Sequence, residues 1–404
     1  MSEHPGVVPS VASQPVSAAE DLAVHITANL DLVDHHCHYL SRQVLSQGGF
    51  EALLGESHFR TPPGCSAADT GFGLAVRTFC PPLLDLPACA GISDYVERRA
   101  QLGVDEVHRR LLAGGASTYL LDTGYLPDRP QRFGRAEELA AWSGGSVAEV
   151  ARLETLAEQV AARLGGIGGG VARSSGYADA LSDAMGQCGG ALGWKSVAAY
   201  RCGLGIDWSR PSPGRVREAA AEWLSAGPDI QRGWRLEHPV LIAHGLWSAL
   251  DTGRPVQIHT GFGDNDIRLK EADPTLLDPL LRATADGRSA IMLLHCWPYH
   301  RQAGYLAQVW PQVYMDVGLA VPHVGSRSAA VLAQALELAP WHKMLYSSDA
   351  FGLAEIYHLA VHSWRRALAT ALAPLAAAGF HRDELVRLGS LVSSENARRV
   401  YGIS

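Results

Sequence analysis

The stretch LDLVDHHCH, residues 30–38, joins a short apolar run to a cluster of histidines. The apolar half predicts a β-strand that delivers the histidines at its carboxyl end. In an extended strand, residues two apart point to the same face, so His36 and His38 project together. Two neighbouring imidazoles are the beginning of a metal site. Because the chain has 17 histidines, the pair is informative only if other strands supply further ligands.

Similar apolar runs recur along the chain and alternate with segments of helical character. The predicted strands are Leu30–Asp34, Thr118–Asp122, Val147–Leu153, Ala191–Tyr200, Val256–His259, Ala290–His295, Val313–Val317 and Met344–Ser348. Strands that alternate with helices predict parallel β-α units, and eight such units predict an α/β fold of the (β/α)8 TIM-barrel type. The third run is the weakest, because it overlaps a helical pattern that includes Val150 to Leu164.

The chain is predicted to form one barrel domain, residues 26–404, behind a flexible N-terminal arm, residues 1–25. The arm lacks the basic and apolar regions of a secretory signal. Residues 39–117 separate the first two strands and form a mostly helical insertion, with a helical stretch around Ile92–Leu112. Because barrel active sites lie at the carboxyl ends of the strands, this insertion is expected to act as a lid.

The composition excludes several classes of protein. The chain has 404 residues, a net charge of −7 and no Lys/Arg-rich run, which gives no support for a nucleic-acid partner. No apolar stretch is long enough to span a bilayer. The seven cysteines are odd in number and include no CxxC pair, which favours a reducing compartment. Together with the lack of a targeting signal, this predicts a cytoplasmic protein.

Residues that can bind metal recur at the predicted strand ends, which converge on one mouth in a barrel. They occur in the order His-x-His, then lysine, histidine, histidine and aspartate on later strands. These candidate ligands are His36, His38, Lys195, His259, His295 and Asp349. Their conjunction indicates a metal centre more strongly than any one of them does.

Each candidate ligand also has an ordinary interpretation. A single histidine at a strand end is more often a polar core or loop residue. Asp349 could cap the following helix, and Lys195 could be a buried lysine paired with Asp122 or Glu154.

The ligand order resembles that of the amidohydrolase superfamily, which has His-x-His after strand one, histidines on strands five and six, and aspartate on strand eight. The resemblance covers roughly residues 30 to 404. The segments HTGFGDND (259–266), LLHCWPYHRQAGYLA (293–307) and YSSDAFG (346–352) are similar, more narrowly, to the amidohydrolase half of nodulin–glutamine synthetase fusion proteins and their free-standing bacterial relatives.

The stretch WKSVAAYR, residues 194–201, resembles a strand of hydantoinases and dihydropyrimidinases. That resemblance implies a carbamylated Lys195 that bridges two metals, because a plain ammonium cannot bind a cation and a carbamate can. It also implies that the Tyr200 hydroxyl polarises the scissile carbonyl, with ordinary packing as the alternative role.

The resemblance implies a binuclear hydrolase that acts on amide-type C–N bonds. One metal would be bound by His36, His38 and Asp349, and the second by His259 and His295. Zn²⁺ suits imidazole and carboxylate ligands, and Mn²⁺ or Fe²⁺ can replace it. Asp349 would accept the proton of the attacking water and pass it to the leaving amine, as a general base and then a general acid.

The substrate is expected to be a small molecule that carries a carboxylate. Arg201, Arg301 and Arg327 lie just past the fourth, sixth and seventh strands, where guanidinium groups could bind a carboxylate. Surface salt bridges are the alternative for each arginine. Tyr125 and His300 are further candidates at the mouth. The synthetase half of the related fusions suggests a γ-glutamyl amide or an N-acyl amino acid.

Two other functions compete with this one. A mononuclear decarboxylase or C–C lyase of the same superfamily would need only His36, His38, His259 and Asp349, with Lys195 unmodified. A non-catalytic scaffold would be expected to have lost ligands, whereas all six positions are intact. Barrel enzymes of this type form homo-oligomers, which is also the expectation for this chain.

Overall fold

Seven parallel strands form one sheet, in which each strand pairs with the next along the chain. A computed structural model describes residues 16–59, 61–125, 132–165 and 174–404. The strands are β1 Val33–Cys37, β2 Thr118–Asp122, β3 Ser146–Arg152, β4 Gly193–Ser196, β5 Val256–Thr260, β6 Ile291–His295 and β7 Val313–Met315.

The segment Met344–Ser348 occupies the position of the eighth strand. The Leu345 amide donates to the Met315 carbonyl at 3.0 Å, and the His35 amide donates to the Tyr346 carbonyl at 3.1 Å. Two residues further along, the Ser348 amide donates to the Asp34 carboxylate at 2.9 Å and not to a backbone carbonyl. A side chain therefore replaces the regular backbone pairing at this point. The segment thus joins β7 to β1, and the predicted (β/α)8 barrel is confirmed.

The barrel interior is filled by apolar side chains from the strands, as is usual for this fold. The strand residues of this cluster are Val33, Leu120, Val150, Met292, Leu294 and Leu345, the last from the eighth position. Ala397 and Tyr401 of the helix Asn396–Tyr401 complete the cluster. A Cβ atom added at Gly193, the first residue of β4, would lie 3.2 Å from the Tyr401 ring. The C-terminal helix therefore closes the amino-terminal end of the barrel.

The first strand begins three residues later than predicted and includes four of the five residues DHHCH. Val33 to Cys37 are all buried, and the polar ones are held by hydrogen bonds within the barrel. The third strand, Ser146–Arg152, ends where the helix Leu153–Gly165 begins. The strand pattern and the helical pattern overlap in the sequence because the strand passes directly into the helix, with no loop between Arg152 and Leu153.

Helices surround the sheet, and within the described ranges those outside the insertion include Val16–Ala28, Ala136–Ser143, Leu153–Gly165, Tyr177–Gln187, Pro213–Ala226, Pro239–Asp251, Asp278–Ala283, His300–Val309, Ala320–His323, Ser328–Ala335, Ala354–Ala377, Arg382–Ser390 and Asn396–Tyr401. A π-helical turn, Leu391–Glu395, precedes the last of them. Within the described ranges, no helix has both the length and the hydropathy that crossing a bilayer requires.

The prediction of a flexible arm over residues 1–25 is wrong for residues 16–25. They belong to the helix Val16–Ala28, which packs against the long helix Ala354–Ala377. Ala19, Ala23 and Ile26 are buried in this contact. Burial of this face stabilises a helix that the Pro- and Ser-rich composition did not suggest. Residues 1–15 lie outside the described ranges.

The insertion between β1 and β2 is mostly helical, as predicted. Its α-helices are Gln47–Glu51, Gly71–Phe79, Ile92–Leu102 and Val104–Leu112, and the 3-10 turns Ala67–Asp69 and Pro81–Leu84 lie between them. The His58 amide donates to the Asn265 side chain at 2.7 Å, in the loop that follows β5. A Cβ atom at Gly71 would lie 3.1 Å from the His323 carbonyl oxygen, past β7. These contacts place the insertion over the carboxyl ends of the strands.

Candidate metal centre

The six predicted ligands converge at the carboxyl end of the barrel. Asp349 Oδ1 lies 3.1 Å from both His36 Nε2 and His38 Nε2, and Asp349 Oδ2 lies 3.5 Å from His295 Nε2. Lys195 Nζ is 3.4 Å from His36 Nε2. The ring centroids of His259 and His295 are 4.5 Å apart. Sequence reasoning therefore identified side chains that the fold brings together.

The spacing of these atoms is that of donors around one ion. Ligand atoms about 2.1 Å from a tetrahedral metal lie roughly 3.4 Å from one another. The distances from Asp349 to His36, His38 and His295 are 3.1, 3.1 and 3.5 Å. One nitrogen each from His36 and His295 and one Asp349 oxygen all lie within 4.8 Å of one another.

Gln257 fixes the ring of His36. The Gln257 Nε2 group donates to the His35 carbonyl at 2.7 Å and to the Tyr401 hydroxyl at 2.8 Å. Its Oε1 atom, 2.8 Å from His36 Nδ1, can only accept, so Nδ1 carries the proton. His36 Nε2 is thereby left with a lone pair directed at the ligand cluster, which is the usual arrangement around a metal-binding histidine.

Asp316 and His35 lie next to the candidate ligands and hold the backbone around them through hydrogen bonds. One Asp316 oxygen accepts a hydrogen bond from His35 Nε2 at 2.8 Å. The other accepts from the backbone amides of His295 and Gly318, at 2.7 and 2.9 Å. We did not predict this aspartate, although it directly follows β7, where the rule that identified Asp349 would also have found it.

Burial sets the charge state of the ligands. It lowers the pKa of His36 to about 3, with help from the nearby Lys195, and the pKa of His295 to about 4. The surrounding histidines hold the pKa of Asp349 well below its usual range despite its burial. Burial also lowers the pKa of Lys195 to about 8. The imidazoles of His36 and His295 are therefore neutral beside an ionised Asp349 carboxylate, which are the protonation states that metal binding requires.

Several buried nitrogens in this cluster lack partners. Among the described residues, neither ring nitrogen of His295 has a hydrogen-bond partner, nor does Nδ1 of His38. Buried polar atoms are normally satisfied, so their absence of partners calls for a ligand. A divalent metal fits these residues.

The partners considered for Lys195 are occupied elsewhere. Asp122 accepts from Arg152 Nε at 3.1 Å, and Glu154 accepts from the Ser196 hydroxyl at 2.7 Å and the Val197 amide at 3.0 Å. An Asp122 oxygen also lies within 4.8 Å of donor nitrogens of His36 and His38, so this strand-end aspartate is a further candidate ligand that sequence reasoning missed.

The centre opens into a cavity of about 380 Å³, which is lined by two of the predicted substrate residues, Tyr125 and Arg201, and by the predicted catalytic residue Tyr200. The Tyr200 ring lies 4.5 Å from the His259 ring, and the Tyr125 ring lies 5.4 Å from the His38 ring. Arg201 also faces the cavity, where its guanidinium lies 3.1 Å from Glu158.

Three predicted mouth residues do not line this cavity. His300 Nε2 is 2.8 Å from the Gln334 side chain, and Arg301 forms an exposed ion pair with Glu337 at 2.8 Å. Arg327 is exposed at the end of a 3-10 turn. These residues follow strands in the sequence, but His300 and Arg301 lie on the helix His300–Val309, which packs against the helix Ser328–Ala335. Their side chains pair with Gln334 and Glu337 instead of facing the cavity.

Other charged residues line the cavity instead. Arg152 pairs with Asp122, and Arg235 lies 2.7 Å from Glu237 and 3.1 Å from Asp266. The acidic side chains on the wall are Glu56, Glu158, Asp264, Asp266 and Asp349. The cavity thus presents guanidinium groups among carboxylates rather than a uniformly positive surface.

Comparison with known proteins agrees with this architecture. The family model for "Amidohydrolase" matches residues 33–403. Protein fluG of Emericella nidulans is 29% identical over 225 residues, which are 53% of this chain and 26% of that protein. The match therefore spans about a quarter of the length of this relative.

Solved structures share the fold. A Lactobacillus casei protein provisionally named a metal-dependent hydrolase superposes with a TM-score of 0.80 at 24% identity, covering 94% of this chain and 97% of its own. A uronate isomerase from Bacillus halodurans superposes with a TM-score of 0.60 at 14% identity, covering 97% of this chain and 98% of its own. At these identities the likeness concerns the fold alone.

Proposed function

The chain belongs to the amidohydrolase family, and we propose that it is a metal-dependent hydrolase that cleaves an amide-type C–N bond in a small substrate. One observation carries the proposal. Buried, neutral histidine nitrogens and an ionised carboxylate surround a single point at the end of a substrate-sized cavity. This donor set suits Zn²⁺, and Mn²⁺ or Fe²⁺ are alternatives.

The residues that would hold the metal are His36, His38, His295 and Asp349. When bound, the metal supplies a Lewis acid that polarises a carbonyl and makes a water more acidic. Asp349 is ionised and faces the cavity, so its carboxylate can accept the proton that an attacking water releases.

Tyr200 is proposed to donate a hydrogen bond to the oxygen of the scissile carbonyl. Burial and nearby carboxylates raise the pKa of Tyr200 well above its usual value, so its hydroxyl keeps its proton at neutral pH. A protonated hydroxyl on the cavity wall can stabilise negative charge that develops on that oxygen.

The substrate class is proposed to be a carboxylate-bearing amide, such as a γ-glutamyl amide or an N-acyl amino acid. Arg152 and Arg201 line the cavity and could bind a carboxylate. Both are ion-paired, which keeps them in place but lowers the positive charge available to a ligand.

The donor spacing supports one metal as the first to bind. The second metal and the carbamylated Lys195, implied by the resemblance to hydantoinases, remain predictions. A second metal would use His259 Nδ1, because His259 Nε2 donates to the Phe262 carbonyl at 3.0 Å. Lys195 would need to be carbamylated before it could contribute a ligand.

Metal content and amine release test the proposal together. We expect protein reconstituted with Zn²⁺, Mn²⁺ or Fe²⁺ to hold at least one metal per chain by elemental analysis and to release amine from γ-glutamyl p-nitroanilide or an N-acyl amino acid. Asp349→Asn should lower kcat by about 10²- to 10⁴-fold, the range for loss of a general base. Asp266→Asn, a carboxylate of the same cavity outside the donor set, is the matched control and should retain metal.

Other outcomes would point to the alternatives. Release of CO₂ from a carboxylic acid, with no amine from any amide, would support a mononuclear lyase and overturn the hydrolase. A metal content of two that falls to one in Lys195→Ala would support the carbamylated bridge.

A further inference from the structure

Glu56 and His323 form a pair on the cavity wall, outside the donor set for the metal. His323 ends the short helix Ala320–His323, and its Nδ1 lies 2.8 Å from the Leu319 carbonyl oxygen. A carbonyl can only accept a hydrogen bond, so Nδ1 carries the proton and Nε2 presents a lone pair. Among the described residues, this buried Nε2 has no hydrogen-bond partner.

The carboxylate of Glu56 faces that lone pair. Glu56 Oε1 lies 3.5 Å from His323 Nε2. Two acceptors that face each other repel unless a proton lies between them. Partial burial of the Glu56 side chain, which is 31% exposed, raises its pKa to about 8 together with the negative charges of Asp349 and Asp264, which agrees with a protonated carboxyl at neutral pH.

The packing around the pair holds it at the cavity. The His323 ring stacks on Phe72 with centroids 5.1 Å apart and meets the edge of Phe262 at 5.6 Å. Phe72 belongs to the insertion, as Glu56 does, and Phe262 follows β5. The insertion thus places the Glu56 carboxyl group at the barrel mouth, next to His323, which lies past β7.

We propose that Glu56 is the proton donor to the leaving nitrogen and that His323 is its positioning residue. The inference rests on the proposed amide hydrolysis and assigns the acid step to Glu56, whereas the resemblance to the superfamily implied that Asp349 would serve as both base and acid. The attacking water gives one proton to Asp349 and forms the new C–O bond. When the C–N bond breaks, its electron pair goes to nitrogen, which takes the proton of the Glu56 carboxyl. Asp349 then releases its proton to solvent and Glu56 regains one from solvent, so that one water is consumed per turnover.

The dependence on the leaving group tests this assignment. Alkyl amides need a proton on the leaving nitrogen, whereas a p-nitrophenyl ester with the same acyl group expels a phenolate that needs none. Glu56→Gln keeps a hydrogen-bond donor toward His323 but cannot release a proton. We expect it to lower kcat/KM for the alkyl amide by about 100-fold or more, and for the ester by less than about 3-fold.

Controls separate this role from a structural one. Glu51→Gln, in the same insertion but outside the cavity lining, should leave both activities unchanged, and every variant should retain the metal content of the parent. His323→Phe keeps the ring stacking and removes the nitrogen, so it should show a smaller loss with the same preference for the ester. Equal losses of amide and ester activity in Glu56→Gln would overturn the inference, whereas a parent enzyme that cleaves no amide would overturn the proposed function.

A measurement without turnover examines the pair itself. In ¹⁵N-histidine-labelled protein, His323 Nε2 should resonate as a hydrogen-bonded acceptor and should shift toward a free lone pair in Glu56→Leu. An unchanged Nε2 resonance in that variant would show that no proton is shared and would overturn the assignment.

Discussion

The side chain of Gln257 determines which nitrogen of His36 is free, and it is the residue whose loss should affect metal binding most selectively. Gln257→Leu removes the acceptor of His36 Nδ1–H, so the ring can rotate and change tautomer. We expect metal affinity to fall by about 10- to 100-fold, the usual effect of losing such a partner. Competition with a chromophoric chelator measures this change.

Gln312→Leu provides the matched control for that variant. Gln312 is also buried and donates to the Leu281 carbonyl at 2.7 Å, but it has no contact with the metal centre. Both variants should lose stability, and only Gln257→Leu should lose metal affinity. Equal affinities in the two variants would show that the His36 tautomer does not depend on Gln257.

His108 gives the protein a pH-dependent stability that is separate from the metal centre. Its ring is buried against the edge of Trp142, and burial lowers its pKa to about 4. Between pH 6.5 and about pH 4 the unfolded chain binds a proton that the folded state does not, so stability falls as the pH falls. The free energy of unfolding should fall between pH 7 and pH 5, and His108→Phe should make this fall smaller by about 2 kcal/mol. Urea denaturation at both pH values measures it, and an unchanged difference between the two values would contradict the assignment.

Residue types at strand ends were predictable, and their orientation was predictable only in part. His36, His259, His295 and Asp349 follow from the convergence of parallel strands, which is a property of the fold. Arg301 lies further past its strand, on the helix His300–Val309, and its side chain pairs with Glu337 because the packing of this helix determines its direction. A local pattern does not contain that information.

At the level of elements, the helix Val16–Ala28 is part of the folded domain, and a single substitution in its contact face tests this. Ala23 is fully buried against the rest of the core. Ala23→Leu should overpack this contact and lower the free energy of unfolding by about 1–3 kcal/mol. Val24, its neighbour, is 58% exposed, so Val24→Leu should change stability by less than about 0.5 kcal/mol. Equal stability of the two variants would show that this helix does not contribute to the fold.

This helix escaped prediction for a physical reason. Two of the four buried positions among its described side chains, Ala19 and Ala23, are alanines, whose small side chains contribute little to a hydrophobic pattern. Their value lies in allowing the close approach of the helix Ala354–Ala377, and that partner is more than 300 positions away in the sequence.

The insertion shows the same division between local and distant information. Its helical character was evident in its sequence, and its place over the mouth followed from the topology of a barrel. The contact of Glu56 with the helix past β7 and the contact of His58 with the loop past β5 were not predictable, because they depend on how the insertion folds back.

At the level of the whole molecule, Tyr401 connects the C-terminal helix to the metal centre. Its hydroxyl accepts from Gln257 Nε2 at 2.8 Å and lies 3.2 Å from His35 Nδ1. Tyr401→Phe leaves these buried groups short of a partner, so it should lower the free energy of unfolding by about 1–3 kcal/mol. Tyr177→Phe is the control, because the buried Tyr177 hydroxyl has no hydrogen-bond partner among the described residues. Similar losses in the two variants in a urea titration would contradict this role of Tyr401.

The seam between β1 and the segment Met344–Ser348 has a consequence for synthesis on the ribosome. His35 and Tyr401 are 366 positions apart, and Asp34 and Ser348 are 314 apart. As the chain emerges amino end first, β1 keeps one unpaired edge until the segment Met344–Ser348 has been translated. The histidines of this strand therefore lack Asp349 until that segment has left the ribosome, and metal acquisition should follow its synthesis.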